Sequence, residues 1–170
     1  MRNPPRLRHF ALGLLIAANW TALACADERD GSRTVLGTSN TLLADGASAL
    51  QAGRAEEGVR LTLEGLKVAD NLSDSAAGHS NACAGYALLK QWDAALVQCN
   101  AALDLDRSNW RIYNNRAAIY VAKGLYELAM SDLNAGLRLA PRSATLLESV
   151  RIAEKNRRLT SRRGRKAVAS

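Results

Sequence analysis

The stretch that decides the fold is residues 110–141, which read WRIYNNRAAIYVAKGLYELAMSDLNAGLRLAP. Residues 110–143 align with residues 76–109 at a shift of 34 positions, with aromatic residues on aromatic residues and small residues on small ones. The matching pairs are Tyr86 with Tyr120, Trp92 with Tyr126, Ala95 with Ala129, and Cys83 with Ala117. The pattern predicts antiparallel helix pairs, with helices of about 14 residues joined by short turns.

Residues 110–141 resemble a tetratricopeptide repeat. The positions that carry the resemblance are Tyr113, Ala117, Tyr120, Gly124, Tyr126, Ala129, Leu133, Gly136, Leu137 and Pro141. Arg116 stands where the family usually has leucine. Small residues let the two helices approach closely, and proline ends the second helix because it has no N–H to continue it. The resemblance implies an all-α, right-handed solenoid whose concave groove is lined by the first helix of each pair.

Three such repeats are expected within residues 39–143. They span residues 39–72, 76–109 and 110–143. The first is interpreted as degenerate, because it keeps the small residues but lacks the aromatic ones. Three additional residues, Ser73 to Ser75, break the spacing of 34 and predict a longer loop.

The region after Pro141 continues the helical pattern and then becomes polar and basic. Apolar residues at helical spacing predict a helix over residues 144–158, with Ser143 as its N-cap. A solenoid needs such a final element, with one polar face, to close its exposed end. Residues 159–170 are predicted to form a basic, disordered tail.

The first 26 residues have the three parts of a secretory signal peptide. Three arginines precede an apolar stretch over residues 10–24, and Ala24-Cys25-Ala26 provides a small-x-small cleavage site. The sequence therefore predicts a periplasmic or secreted protein, with residues 27–38 as a linker. Cleavage after Ala24, lipid attachment at Cys25, and an uncleaved N-terminal membrane anchor are the alternatives.

Composition argues against catalysis. The chain has 170 residues, enough for one domain with tails, and only two histidines and three cysteines. No zinc-protease, hydrolase, dinucleotide or P-loop motif occurs. His79, the histidine outside the signal peptide, lies where the repeat usually has tryptophan and is interpreted as a packing residue. We expect a protein that is not an enzyme and has no cofactor or metal site.

Cys83 and Cys99 lie in the same repeat, one on each predicted helix and at similar distances from the turn. In an antiparallel pair these two levels face each other. Because a signal peptide implies an oxidising compartment, the sequence predicts a disulfide between them. The alternative is two buried cysteines that act as small hydrophobic residues.

The family geometry also assigns residues to the groove. They are Asn40 and Leu43 of the first repeat, Ala77, Ser80, Asn81, Ala84 and Leu88 of the second, and Arg111, Asn114, Asn115, Ala118 and Val121 of the third. Asn81 and Asn115 occupy equivalent positions. Amide side chains carry donors and an acceptor, so they can hold an extended peptide by its backbone. The alternative is that these asparagines are only solvated.

Residues 112–120, IYNNRAAIY, resemble the repeat of heat-shock cochaperones that clamps a C-terminal carboxylate. In those proteins an asparagine matching Asn115 works with basic residues on the flanking helices. Here the flanking positions hold Ser80, Ala84, Glu148 and Ile152. Because the cations are missing, we do not expect carboxylate-clamp function.

Charge is unevenly distributed along the chain. Residues 151–170 carry a net charge of +7, whereas residues 27–150 carry −3. The predicted polyanion-binding residues of the tail are Arg157, Arg158, Arg162, Arg163, Arg165 and Lys166. A basic block of this kind attracts anionic surfaces, but no aromatic residue interleaves it, so nucleic acid is not expected as a partner. A solvated tail that only aids solubility is the alternative.

The sequence therefore predicts a non-catalytic adaptor that binds a protein or peptide segment in its concave groove. The alternative is an envelope-associated structural protein that its basic tail holds to anionic surfaces.

Overall fold

The computed structural model describes residues 40–168, with side chains described through Arg162. The predicted signal peptide and linker lie outside the described residues. Within the described part the chain forms seven helices and no strand. They are α1 (Thr41–Gln51), α2 (Ala55–Lys67), α3 (Leu72–Leu88), α4 (Trp92–Leu105), α5 (Trp110–Ala122), α6 (Tyr126–Leu139) and α7 (Ala144–Val168).

The helices form three antiparallel pairs, α1 with α2, α3 with α4, and α5 with α6, and α7 packs on the last pair. The first helices of neighbouring pairs run parallel. Gly78 near the start of α3 contacts Leu43 of α1, and Gly85 further along α3 contacts Leu50 further along α1. This arrangement confirms the predicted all-α solenoid.

Small residues stand at the helix contacts because a larger side chain would not fit there. Ala95 and Ala129, at equivalent positions of α4 and α6, are completely buried. A Cβ atom on Gly46 would lie 2.5 Å from Thr62 Oγ1 of α2, and one on Gly136 would lie 2.9 Å from a methyl carbon of Leu146. The small residues in the sequence pattern are therefore required by packing.

The three turns that join the paired helices have the same backbone structure. Gly53, Lys90 and Gly124 each adopt a left-handed conformation, with φ of 76°, 59° and 75°. In each turn the next residue, Arg54, Gln91 or Leu125, donates its N–H to the carbonyl five residues earlier. This is the Schellman termination, which glycine favours because it has no Cβ. In this conformation the Cβ atom of Lys90 lies too close to the backbone, which lowers stability. The two glycines have no Cβ and avoid this strain.

The predicted loop at Ser73–Ser75 is wrong, because these residues form the first turn of α3. Asn71 caps the helix: its side-chain oxygen accepts from the Asp74 N–H at 2.8 Å. The Ser75 hydroxyl donates to the Asn71 carbonyl oxygen at 2.9 Å. An asparagine with these bonds starts a helix well, so the three additional residues lengthen α3.

The prediction of a disordered tail is wrong for residues 159–168, because α7 continues through Val168. Two contacts hold this part of α7 against the start of α6. The Tyr126 and Thr160 hydroxyls lie 3.1 Å apart, and Arg157 pairs with Glu127 at 3.1 Å. Arginine and lysine are good helix formers, so the basic composition does not oppose the extension.

Arg116, the departure from the family pattern, links three helices. Its guanidinium donates two bonds of 2.7 Å to the Asp132 carboxylate of α6 and one of 2.7 Å to Asn100 Oδ1 of α4. The hydrogen bond to Asp132 raises the pKa of Arg116 although burial opposes this. The guanidinium therefore stays charged, and paired charges with full hydrogen bonding tolerate this partly buried position.

The predicted cysteine pair is brought together between α3 and α4. The Cα atoms of Cys83 and Cys99 are 5.1 Å apart, and the sulfurs lie at disulfide-bonding distance. Both side chains are completely buried, packed with Ala87, Ala95 and Ile119.

Replacing Lys90 with glycine should stabilise the protein. Lys90→Gly removes the left-handed strain and should raise the free energy of unfolding by about 1 kcal/mol, measured by urea denaturation. Gly124→Lys is the matched control. It has open space around the new Cβ, so only backbone strain should lower stability. A Lys90→Gly variant no more stable than the parent would contradict the cost assigned to this turn.

Cys83→Ala should destabilise the oxidised protein by about 3 kcal/mol. The variant loses the cross-link between Cys83 and Cys99, which closes a loop and so restricts the unfolded chain. The measurement is urea denaturation of parent and variant, each with and without reductant. In reductant the two proteins should differ far less. An equal loss under both conditions would mean that the cysteines act only as small buried residues.

Candidate functional site

The concave groove that the family resemblance implies would be lined by the first helices of the pairs, chiefly α3 and α5, which contact each other. We define the groove by the partly accessible predicted residues of these two helices. They are Ala77, Asn81, Ala84 and Leu88 of α3, and Arg111, Asn115, Ala118 and Val121 of α5. Within each helix these side chains recur at spacings of three or four residues, so they share one face.

Asn81 and Asn115 occupy equivalent positions on neighbouring parallel helices, as the repeat alignment predicts. Both side chains are partly buried. Among the residues that the structure describes, neither side-chain amide has a hydrogen-bond partner. Each amide can donate two hydrogen bonds and accept others. A buried peptide backbone needs such groups.

Arg111 borders the groove at the start of α5. Its guanidinium lies over the Trp110 ring, 4.6 Å from the ring centroid. This cation–π contact holds the guanidinium of an exposed side chain at the edge of the groove.

The structure places four predicted groove residues elsewhere. Asn114 is buried, with 3% of its surface exposed, and its Oδ1 accepts from the Ser149 hydroxyl of α7 at 2.8 Å. Ser80 and Leu43 are also buried between helices. Asn40 caps α1 and donates from Nδ2 to the Gly65 carbonyl at 2.7 Å. These side chains hold the solenoid together and do not face a ligand.

The two positions of α7 that flank Asn115 in the repeat pattern hold Glu148 and Ile152. Glu148 pairs with Arg151, whose hydrogen bonds lower the pKa of the Glu148 carboxyl. Ile152 is apolar. The flanking positions around Asn115 therefore hold a carboxylate and an aliphatic group where a carboxylate clamp needs cations.

His79 is partly buried, and its Nδ1 lies 2.7 Å from Gln98 Oε1. This contact joins α3 to α4. In residues 40–162, no group of three or more potential metal-binding side chains occurs. No helix in the described part of the chain is long and apolar enough to cross a membrane.

The basic residues of α7 line a pocket that the sequence pattern did not reveal. Its volume is about 470 Å³, and it lies beside the start of α6. The lining residues are Glu127, Arg157, Arg158, Ser161 and Arg162. The predicted anion-binding side chains of Arg163, Arg165 and Lys166 lie outside the described side chains. Glu127 is 30 residues from Arg157 in sequence, so only the folded chain brings the two together.

No protein-family model matches the sequence, and no curated protein matches it. Solved structures do match. The first tetratricopeptide domain of Spaghetti (RPAP3), bound to the HSP90 peptide SRMEEVD, is 25% identical, with a TM-score of 0.61 over 68% of this chain and 89% of that one. The first such domain of human RPAP3 is 23% identical, with a TM-score of 0.64 over 73% of this chain and 94% of that one.

The second tetratricopeptide domain of human RPAP3, in complex with the HSP70 peptide SGPTIEEVD, gives 19% identity. Its TM-score is 0.58, and the match covers 68% of this chain and 94% of that one. The fold is a tetratricopeptide-repeat solenoid. The peptides named for two of these neighbours each contain two consecutive glutamates.

Proposed function

We propose that the chain is a non-catalytic adaptor of the periplasm or extracellular space that binds an extended segment of a protein partner in the groove. The observation that carries the proposal is the pair of amides at Asn81 and Asn115. They are partly buried, equivalent, and without hydrogen-bond partners among the described residues. Both amides are open to solvent, so a ligand that bonds to both can replace their bound water, at a net gain of about 1 kcal/mol for each hydrogen bond.

The chemistry of the groove suits the backbone of a peptide better than a charged terminus. Asparagine bonds equally well to N–H and C=O groups, which every residue of an extended segment presents. Ala84 and Ala118 leave room for a backbone to approach the helices, while Leu88 and Val121 offer apolar contacts. Selectivity among segments would come from these contacts and from Arg111.

The flanking positions around Asn115 argue for a ligand different from the acidic peptides in the solved neighbours. Glu148 is paired with Arg151 and Ile152 is apolar, so neither position offers an unpaired cation to a ligand carboxylate. We propose that the partner segment lies internally in its protein, without a bound C-terminal carboxylate, and is neutral or basic where it passes α7.

The proposed compartment rests on the signal-peptide pattern and on the cysteine pair. A disulfide persists in the periplasm or outside the cell and is rare in the cytosol. Cys83 and Cys99 lie at bonding distance in the folded chain. In an oxidising compartment, a disulfide between them would cross-link the two helices of the second repeat.

The groove is tested with the double variant Asn81→Ala, Asn115→Ala. A displayed peptide library is selected on the protein beginning at Asp27, and the selected peptide is titrated by calorimetry against parent and variant. Loss of about one neutral hydrogen bond at each asparagine should weaken binding by about 10- to 100-fold.

Asn134→Ala is the matched control, since it makes the same chemical change on the exposed face of α6. It should bind the peptide like the parent. Circular dichroism of the double variant should remain helical. Equal affinity in the double variant and the parent would exclude Asn81 and Asn115 as the binding groups.

The compartment is tested by intact mass spectrometry of the protein purified from its native cells without reductant. The mass should correspond to a chain that begins at Asp27, and reduction should add one hydrogen to each sulfur. A mass that includes residues 1–26, with both thiols free, would contradict the proposed compartment and leave the groove test unaffected.

A further inference from the structure

The C-terminal half of α7 extends past α5 and along the start of α6. Helix α7 has 25 residues, whereas its parallel neighbour α5 has 13. The two helices begin at similar levels, because Ser149 of α7 bonds to Asn114 of α5. At a rise of about 1.5 Å per residue, α7 reaches about 18 Å beyond α5. The pocket lies on this extension.

The pocket has the chemistry of an anion site. Arg157, Arg158 and Arg162 line it together with the Ser161 hydroxyl. Helix α6 begins beside it without a side-chain N-cap, and the start of a helix favours negative charge. Arginine presents several donors in a planar fork that fits phosphate oxygens. Arg162 has no acidic partner among the described residues.

The anion already present in the pocket is the chain's own Glu127. It pairs with Arg157 at 3.1 Å, while Arg158 pairs with Glu154 at 3.2 Å. Glu127 is 80% exposed, so the pair is held only weakly and can exchange with another anion. An incoming phosphate group would meet Arg162 and Arg158 and compete with Glu127 for Arg157.

Three exposed leucines stand within two residues of pocket-lining residues in the sequence. Leu125 and Leu128 at the start of α6 are 42% and 50% exposed, and Leu159 of α7 is 47% exposed. The helix then continues with Arg163, Arg165 and Lys166 in its sequence. A free phosphate would use only the pocket. A lipid surface would use the cations and the leucines together, because it presents phosphates and an apolar boundary.

We propose that this pocket and the extension of α7 dock the protein on a bilayer of anionic lipid, with a headgroup phosphate bound by Arg158 and Arg162. The docking surface is separate from the groove, so a bound peptide and the membrane would not compete. The proposal does not depend on the proposed function of the groove.

The experiment is co-sedimentation of the chain beginning at Asp27 with vesicles of phosphatidylcholine, alone or mixed equally with phosphatidylglycerol. The parent should bind only the anionic vesicles, and added salt should weaken the binding. Because each arginine at an anionic surface contributes about fivefold in affinity, Arg158→Gln with Arg162→Gln should weaken binding about 30-fold. Arg142→Gln, at the other end of α7, is the control and should change little.

A second variant is expected to strengthen vesicle binding, a result that partial unfolding of the variant would not produce. Glu127→Gln removes the internal competitor and should strengthen vesicle binding about fivefold. Glu56→Gln makes the same change of net charge on α2 and should have a much smaller effect. Equal effects of the two glutamate variants, or equal loss in Arg142→Gln and the double arginine variant, would overturn the pocket as the docking site.

Further arms distinguish the source of the phosphate. Measuring the melting temperature as inorganic phosphate is added, without vesicles, detects a site for the free anion. Stabilisation by phosphate without vesicle binding would overturn the membrane proposal. Tighter binding to single-stranded RNA than to anionic vesicles would overturn it in favour of nucleic acid. The double arginine variant should bind the selected peptide with the affinity of the parent. A loss of vesicle binding can then be distinguished from a loss of peptide binding in the groove.

Discussion

The close approach of paired helices is the constraint on which the rest of the structure depends. It is met by residues with little or no side chain, such as Ala95 and Ala129 between the helices of a pair, or Gly46 against Thr62. Interiors are packed to near-crystalline density, so an added methyl group at such a contact must displace a neighbour. The same requirement recurs in each pair, and in the second and third pairs it falls on positions 34 residues apart, as Ala95 and Ala129 show.

Once the helices are close and antiparallel, the other features follow from geometry. Each pair needs a tight reversal, and the left-handed residue at Gly53, Lys90 or Gly124 supplies it. The parallel first helices then form one concave wall. Arg116 is the exception to an apolar interface, and it is tolerated because Asp132 and Asn100 satisfy the guanidinium.

The molecule presents two surfaces of different chemistry. The groove carries the neutral amides of Asn81 and Asn115 with Arg111 at its edge, which suits a peptide backbone. The pocket on α7 carries three arginines around the exposed Glu127, which suits an exchangeable anion. An adaptor that docks on a membrane through α7 and holds a partner in the groove would bring that partner to the bilayer surface.

The helix pairs, their turns, the facing cysteines and the equivalence of Asn81 with Asn115 could be predicted from the sequence, because these depend on local spacing. The sequence could not show that Asn114 is buried while Asn115 stays accessible, because the partner of Asn114 is Ser149, 35 residues later in the chain. The length of α7 was likewise decided by contacts with Tyr126 and Glu127. Composition alone suggested disorder there, because polar, basic residues show no apolar periodicity that would reveal a packed helix.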